Sequence, residues 1–242
     1  MENSPKEFYD RFVQRLLVDF AKGNPRAEAA IHFASFHLMR RSCCRILDVG
    51  CGIGWSSFEV ARHLTASKVY GVDLSPILIE TAQRLFGDNS RIEFSADDVT
   101  TPSWQKGFRG LFDGCIMLDV YEHIPIGDRP SFHRALSESL GDSAILVLSC
   151  PTPRYQQHLR NNNPGGLQPV DEDVTLADLI RLGDDIGGEV THFQHVSIWR
   201  QNDYFQAVVE KNLSDGPVRR VEAIKLSSKR ERLRVLAKIQ YQ

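Results

Sequence analysis

The sequence predicts an α/β fold, a mostly parallel sheet with helices packed on both faces. Apolar strand-like runs alternate along the chain with amphipathic helical patterns, which is typical of parallel strands joined by helical crossovers. The 242 residues are enough to bury one sizeable core. A glycine-rich turn directly follows the first strand-like run, at the carboxyl edge where open α/β sheets bind ligands. These three observations indicate one α/β domain with a site at that edge.

The elements of this fold follow in order along the chain. Ser75 and Pro76 mark one helix start, with the hydroxyl as N-cap and proline as the first helical residue. After Pro151 the pattern loosens into a predicted long loop over 151–170. The predicted strands are 44–49, 68–73, 91–95, 112–118, 144–150, 189–199 and 203–210. The predicted helices are 55–65, 76–86, 129–140 and 173–187. The last two strands close a seven-stranded sheet as an antiparallel pair.

Charge is distributed unevenly along the chain. Lys plus Arg number 29 against 31 Asp plus Glu, a net charge of -2, so the composition as a whole does not favour nucleic acid. Residues 212–242 nevertheless carry eight basic and three acidic side chains. We therefore expect the main domain to span 1–211, with 1–40 as an N-terminal helical cap, followed by a basic, helical tail over 212–242.

The compartment is predicted from what the sequence lacks. No apolar run approaches the roughly 20 residues that span a bilayer, and the first residues carry charges rather than a signal-peptide core. The five cysteines show no metal-type spacing and fit a reducing compartment. We expect a soluble cytoplasmic protein without a membrane partner.

The glycine-rich turn is the most informative motif. It runs from Asp48 through Gly50, Cys51, Gly52 and Gly54, and glycine lets the backbone approach a ligand where a Cβ would clash. The dinucleotide spacing Gly-x-Gly-x-x-Gly fails, because position 55 is Trp. A carboxylate at position 48 suits an amino group better than a pyrophosphate. The turn therefore predicts a zwitterionic or cationic ligand.

In this acid-x-Gly-x-Gly-x-Gly motif, and in further ordered features over about 45–150, the chain resembles the class I S-adenosylmethionine (SAM) dependent methyltransferases. The resemblance implies a Rossmann-like fold, SAM as cofactor and S-adenosylhomocysteine as product. It places a ribose-binding acid at Asp73, with a helix-capping role as the alternative, and Leu74 beside the adenine. The acid that pairs with the adenine amino group falls at Asp98, with Asp97 as the alternative, and Val99 offers its backbone N–H.

The segment 112–125 is a second motif, a buried strand that releases polar residues at its tip. The resemblance places the backbone of Leu118 and Asp119 at the methionine part of SAM. His123 is the predicted catalytic base, since imidazole titrates near neutrality; the alternative is a packing residue bonded to a carbonyl. Asp119, Glu122 and His123 could instead form a metal cluster like that of some quinone-biosynthesis O-methyltransferases, but Asp119 is shorter than their Glu. We expect no metal.

The remaining site predictions concern the N-terminus and the acceptor. Tyr9 lies in a segment that covers bound SAM in many small-molecule members of the family, or simply packs on the sheet. Acceptor-binding candidates come from the 151–170 loop and the last strands: Arg154, Tyr155, His158, Arg160, 168–171, His192, His195, Trp199 and Tyr204.

These features predict O-methylation of a small polar metabolite or sugar. The alternatives are N-methylation of a small amine, a SAM-binding subunit without catalysis, and an RNA methyltransferase that uses its basic tail. A homodimer is possible for each reading. The tip of the fourth strand lacks the Asn/Asp-Pro-Pro-aromatic type of motif found in base-amine methylases. A nucleic-acid substrate is therefore not expected.

Overall fold

The structure is a computed structural model that describes residues 12–65, 67–101, 104, 108, 110–212, 221 and 223–240. Within these ranges the helices are α1 (Val13–Lys22), α2 (Pro25–Arg41), α3 (Trp55–His63), α4 (Pro76–Phe86), α5 (Arg129–Ser139), α6 (Pro153–Asn162), α7 (Leu176–Ile186) and α8 (Lys229–Gln240). The strands are β1 (Arg45–Val49), β2 (Lys68–Asp73), β3 (Ile92–Ala96), β4 (Phe112–Leu118), β5 (Leu140–Pro151), β6 (Gly188–Val196) and β7 (Tyr204–Lys211).

The strands form a seven-stranded sheet in the order β3-β2-β1-β4-β5-β7-β6. β1, β2 and β3 pair in parallel, as do β4 and β5. β7 runs antiparallel to both β5 and β6. The predicted fold class, a mostly parallel Rossmann-like sheet that ends in an antiparallel pair, is confirmed.

The contacts group the described residues into two compact units, the first up to residue 98 together with 221 and 223–240, the second from 99 to 212. In the first unit, the parallel register pairs Val49 with Val72 and Asp73 with Ala96. The carboxyl ends of β1, β2 and β3 therefore lie side by side. The division into 1–211 and a separate tail stays a prediction.

In the second unit, β4, β5 and β7 are buried over most of their length. Ile116, Val147 and Val208 are fully buried, and β5 pairs with β4 on one side and β7 on the other. Residues 144–150 of β5 are all buried, so both faces of the strand are covered and its apolar run is continuous rather than alternating.

Capping residues set the helix boundaries. The Ser75 hydroxyl accepts the Leu78 N–H at 3.2 Å and Pro76 opens α4, as predicted. The predicted 151–170 loop is wrong over its first half, because Thr152 caps α6 in the same way, with Pro153 at the first helical position.

The N-terminal segment forms α1 and α2, and the C-terminal segment has no regular secondary structure over 223–228 and then forms α8. Tyr9 lies outside the described residues. No helix in the described ranges is long and apolar enough to cross a membrane.

Candidate functional site

The glycine turn connects β1 to α3 at the carboxyl edge of the first unit. Gly50, Gly52 and Gly54 all have positive φ, at 67°, 54° and 82°. The Gly50 N–H donates to the Val72 carbonyl at 2.7 Å, which ties the turn to the end of β2. The left-handed backbone at three alternate positions explains why the chain uses glycine there.

Two of the glycines differ in what surrounds them. A Cβ on Gly54 would lie 2.6 Å from the ring of Phe94 and 3.1 Å from that of Phe86, so packing alone excludes a side chain. A Cβ on Gly52 would approach only the Leu16 side chain, at 3.4 Å. Gly54 therefore serves the core, whereas the backbone at Gly52 is bare on the side where a Cβ would project.

Asp48 lies one residue before the end of β1 and points into the protein. It is 1 % exposed, and its Oδ2 accepts the hydroxyls of Ser56 and Ser57 at 2.6 and 2.5 Å. Burial raises the pKa of Asp48 to about 6, against the lowering effect of the two serine hydrogen bonds. The carboxyl group anchors the first turn of α3. Contact of Asp48 with a ligand stays a prediction.

Asp73 ends β2 and faces the turn. Its Oδ2 accepts the Gly52 N–H and its Oδ1 accepts the Ser75 N–H, both at 2.9 Å. The next residue, Leu74, is 38 % exposed although it is a large apolar side chain. Asp73 therefore supports the start of α4, as the helix-capping alternative expects, and also contacts the turn. Its ribose-binding role stays a prediction.

The predicted adenine-side acids follow β3. The Asp97 N–H donates to the Asp73 carbonyl at 3.0 Å, and the Asp97 side chain accepts the Asp98 N–H at 2.9 Å. Asp98 is half-buried in the first unit, and Val99 is half-buried in the second. The adenine-side roles predicted for Asp98 and Val99 are not tested by these contacts.

In the second unit, β4 ends at Leu118 and an irregular segment follows it. Leu118 is half-buried, and Asp119 has a φ of +59°, rare for a residue other than glycine. The Asp119 N–H donates to the Ser149 carbonyl at 2.8 Å. Such backbone strain costs about 1–3 kcal/mol and often occurs at functional sites.

His123 lies in the 3₁₀ turn Tyr121–His123 that follows this tip. Its Nδ1 is 2.7 Å from the Val170 carbonyl and 3.5 Å from Asp171 Oδ1, and its Nε2 is 3.9 Å from Glu122 Oε1. A carbonyl only accepts, so Nδ1 carries the proton and Nε2 of the neutral ring is the basic nitrogen. The carbonyl contact of the alternative interpretation is therefore present, and the role of His123 as a base stays a prediction.

The turn that carries His123 is fixed from below by buried polar groups. The Tyr121 hydroxyl lies 2.8 Å from His133 Nε2, and His133 Nδ1 lies 2.6 Å from Asp185. The Arg129 guanidinium lies 4.6 Å from the centre of the Tyr121 ring and donates to the Ile124 carbonyl. Burial lowers the pKa of His133, against the raising effect of Asp185. The sequence does not predict this network, because its members lie on three separate elements of the fold.

The acceptor-binding candidates fall into separate groups in the second unit. Tyr155 and Trp199 each place a ring within 6 Å of the Tyr204 ring, at 5.7 and 5.9 Å. Arg160 pairs with Asp173 at 2.9 Å, and Asp171 accepts the Gln156 amide at 3.1 Å. His158 stacks on Tyr155 at 6.3 Å, and Arg154 lies on the same helix, α6. His192 and His195 are on β6.

The cluster considered as a metal site lies in the described ranges. Within those ranges no group of three or more His, Cys, Asp or Glu side chains is arranged to hold a metal ion.

Residues 46–142 match the family model for a methyltransferase domain. The chain is 32% identical to a ubiquinone biosynthesis O-methyltransferase of Xanthomonas oryzae over 105 residues, 43% of this chain and 42% of that protein. It is 32% identical to a phosphoethanolamine N-methyltransferase of Arabidopsis thaliana over 113 residues, 46% of this chain and 22% of that protein. These matches span less than half the length of either relative.

The fold is similar to a solved structure over a larger part of the chain. The N-methyltransferase NodS from Bradyrhizobium japonicum, solved with S-adenosylhomocysteine, superposes with a TM-score of 0.65. The superposition covers 87% of this chain and 100% of that one, at 15% identity, and shows the fold. The family match over residues 46–142 and the similarity of fold therefore support the resemblance to the class I methyltransferases, the family whose cofactor is SAM.

Proposed function

We propose that the chain binds SAM at its glycine turn and methylates an oxygen of a small polar metabolite or sugar. The observation that carries the proposal is the pairing of Asp73 with the Gly52 N–H, which holds a carboxylate beside a turn that is bare of side chains at Gly52. This arrangement fits a ligand that has hydroxyl groups and must approach the backbone closely.

The residues of the first unit fit the parts of SAM. A carboxylate offers about four acceptor positions, and two backbone N–H groups orient that of Asp73, so it is suited to the two ribose hydroxyls. The exposed side chain of Leu74 supplies an apolar surface for adenine. Asp98 is proposed to accept from the adenine amino group. Contact of SAM with Leu118, Asp119, Val99 and Tyr9 rests on the family resemblance.

When bound, SAM supplies a methyl group that is already activated for transfer. The protein's remaining task toward a hydroxyl acceptor is to remove the proton, and we assign that to Nε2 of His123. The Val170 carbonyl holds the required tautomer, and the carboxylate of Asp171, 3.5 Å from Nδ1, favours the imidazolium that forms. General-base catalysis of this kind contributes about 10²–10⁴-fold.

Calorimetric titration with SAM tests the cofactor assignment. We expect wild type to bind SAM and not NADH, and Asp73→Ala to lose at least about tenfold in affinity, because hydrogen bonds to a charged group contribute roughly 1.5–3 kcal/mol. Asp142→Ala removes an exposed carboxylate from the second unit and should bind like wild type. Well-folded wild-type protein that gives no heat with SAM would refute the proposal.

N-methylation of a small amine is the second candidate. It is favoured by the two carboxylates within 4 Å of His123, which suit a cationic acceptor. A panel of hydroxylated and amine metabolites, assayed by release of S-adenosylhomocysteine, separates the two. Replacement of His123 by Ala should reduce turnover of a hydroxyl acceptor about 10²-fold or more but spare an amine that loses its proton to water. SAM binding without turnover of any acceptor would instead indicate a non-catalytic subunit.

A further inference from the structure

The basic C-terminal segment is attached to the first unit by buried polar contacts. Glu59, on α3, is fully buried, and both of its carboxylate oxygens accept the Ser227 N–H, at 3.0 and 3.1 Å. The Ser227 hydroxyl also donates to Glu59, and Arg62 completes the set at 2.8 Å. A buried carboxylate needs such partners, so the segment satisfies a polar group inside the first unit.

Arg232, on α8, is the second attachment. It is 5 % exposed, and its Nη1 donates to Glu28 at 3.0 Å and to the Ser227 carbonyl at 2.7 Å. Its guanidinium carbon lies 5.5 Å from the centre of the Trp55 ring. A Cβ on Gly23, at the end of α1, would lie 3.0 Å from Arg232 Nη2. One arginine therefore contacts α2, α3 and the end of α1.

These contacts reach the glycine turn by two short paths. Trp55 directly follows Gly54 in the chain, and its ring packs edge-on against Phe20 of α1 at 5.6 Å. On the same helix, Leu16 is the side chain closest to the bare side of Gly52. α8 also packs directly on α1 and α4. The helix that covers the turn is thus held by the C-terminal segment.

We propose that residues 223–240 act as a strap that holds α1 over the glycine turn, with Arg232 as a positioning residue for SAM binding through Trp55 and Glu28. This inference rests on the proposed function, since it assumes that SAM binds at the turn. The outer contacts of the strap, such as Lys238 with Asp88, join exposed side chains and contribute little. The effect of the strap on SAM binding is therefore assigned to the buried Arg232.

The test compares full-length variants in which one helix position changes at a time. Arg232→Ala removes the buried contacts, Arg232→Lys keeps the charge without the planar fork, and Lys238→Ala is the matched control on the exposed side of α8. We expect SAM affinity, measured by calorimetry, to fall about tenfold in Arg232→Ala, to be partly restored in Arg232→Lys and to change less than twofold in Lys238→Ala. Hydrogen exchange of 13–22 should accelerate in Arg232→Ala alone.

A general loss of stability is separated from a positioning role by Ile145→Val, a core change in the second unit. If SAM affinity falls with the melting temperature in that variant as it does in Arg232→Ala, the strap has no specific role and the proposal is overturned. Wild-type affinity in Arg232→Ala overturns it as well and leaves the proposed function standing. Wild-type protein that fails to bind SAM overturns both. If Arg232→Ala does not fold, Glu28→Gln, which removes only the ion pair with Arg232, must itself weaken SAM binding for the proposal to stand.

Discussion

Glu122 is a buried acid next to the proposed base. It is 1 % exposed, and its Oε2 has no hydrogen-bond partner among the described residues. Burial raises the pKa of Glu122 to about 7, with His123 lowering it and Asp119 raising it further. The charge beside His123 therefore changes over the neutral pH range.

This raised pKa predicts how stability depends on pH. The folded protein holds the Glu122 proton up to about pH 7, whereas the unfolded chain releases it near pH 4.5. The stabilisation is fully present below pH 4.5 and is lost as pH rises toward 7. Between pH 5 and pH 8, we expect the free energy of unfolding of wild type to fall by roughly 2–3 kcal/mol relative to Glu122→Gln, measured by urea denaturation.

The control for this prediction is Asp128→Asn, which changes an exposed carboxyl group close by in the chain. It should track wild type at both pH values. A difference between wild type and Glu122→Gln that is the same at pH 5 and pH 8 would contradict the raised pKa. Asp48, whose pKa is also raised by burial, is present in all three proteins and so cancels from the comparison.

At this scale, the sequence predicts which residues lie at the sheet edge but not which way they face. Asp48 and Asp73 both end apolar strand runs, yet Asp48 turns inward to Ser56 and Ser57 whereas Asp73 meets the turn. The inward orientation depends on where the hydroxyls of α3 fall once it packs. Likewise, the motif predicts Gly54, but the ring of Phe94 that demands it comes from another strand.

At the scale of elements, α6 was predicted as part of a loop although the sequence carries a helix-start signal for it. Thr152-Pro153 is the same cap and first-position pair as Ser75-Pro76, which correctly predicted α4. A second proline at 151 and the Asn-rich run after the helix favoured a loop. The helix also buries little apolar surface, and its buried side chain is Gln156, which bonds Asp171. Apolar periodicity therefore could not reveal it.

The caps of α6 and α7 predict a local effect. Thr152 accepts the Tyr155 N–H and donates to the Asn202 carbonyl at 2.9 Å, so Thr152→Val should destabilise α6 by about 1–2 kcal/mol. Thr175, which caps α7 in a capping box with Asp178, is the matched position for Thr175→Val. Hydrogen exchange should show each substitution loosening its own helix. Equal loosening of both helices by either substitution would mean that the caps do not act locally.

α8 begins with a capping box. Ser228 and Glu231 form a reciprocal pair, with the Ser228 N–H donating to Glu231 at 2.7 Å and the Glu231 N–H to the Ser228 hydroxyl at 3.3 Å. This Ser-x-x-Glu pattern is visible in the sequence. The burial of Arg232 was not, because it depends on Glu28, 204 positions away in the chain.

At the scale of the whole molecule, the sequence shows how charge is distributed along the chain but not which charged side chains pair. The acidic body and basic tail are evident from composition, which predicts a helical tail and leaves open that it binds RNA. In the structure the tail meets acids of the first unit, through Arg232 with Glu28 and Lys238 with Asp88. Two cations of the tail are thus paired within the chain, which lowers the charge that the tail offers to RNA.

The pairing predicts weak RNA binding with a shallow salt dependence. Fluorescence anisotropy with a labelled single-stranded RNA should give a dissociation constant weaker than about 10 μM at physiological salt, since two of the tail's cations are already paired and non-specific binding is of this strength. Arg230→Gln with Arg234→Gln, which alters two exposed positions of α8, should leave that binding unchanged. Each phosphate contact contributes about −0.7 to the slope of log affinity against log salt. A slope of about −3 or steeper that the double substitution flattens would instead assign the tail to nucleic acid, and would make RNA the acceptor to test first.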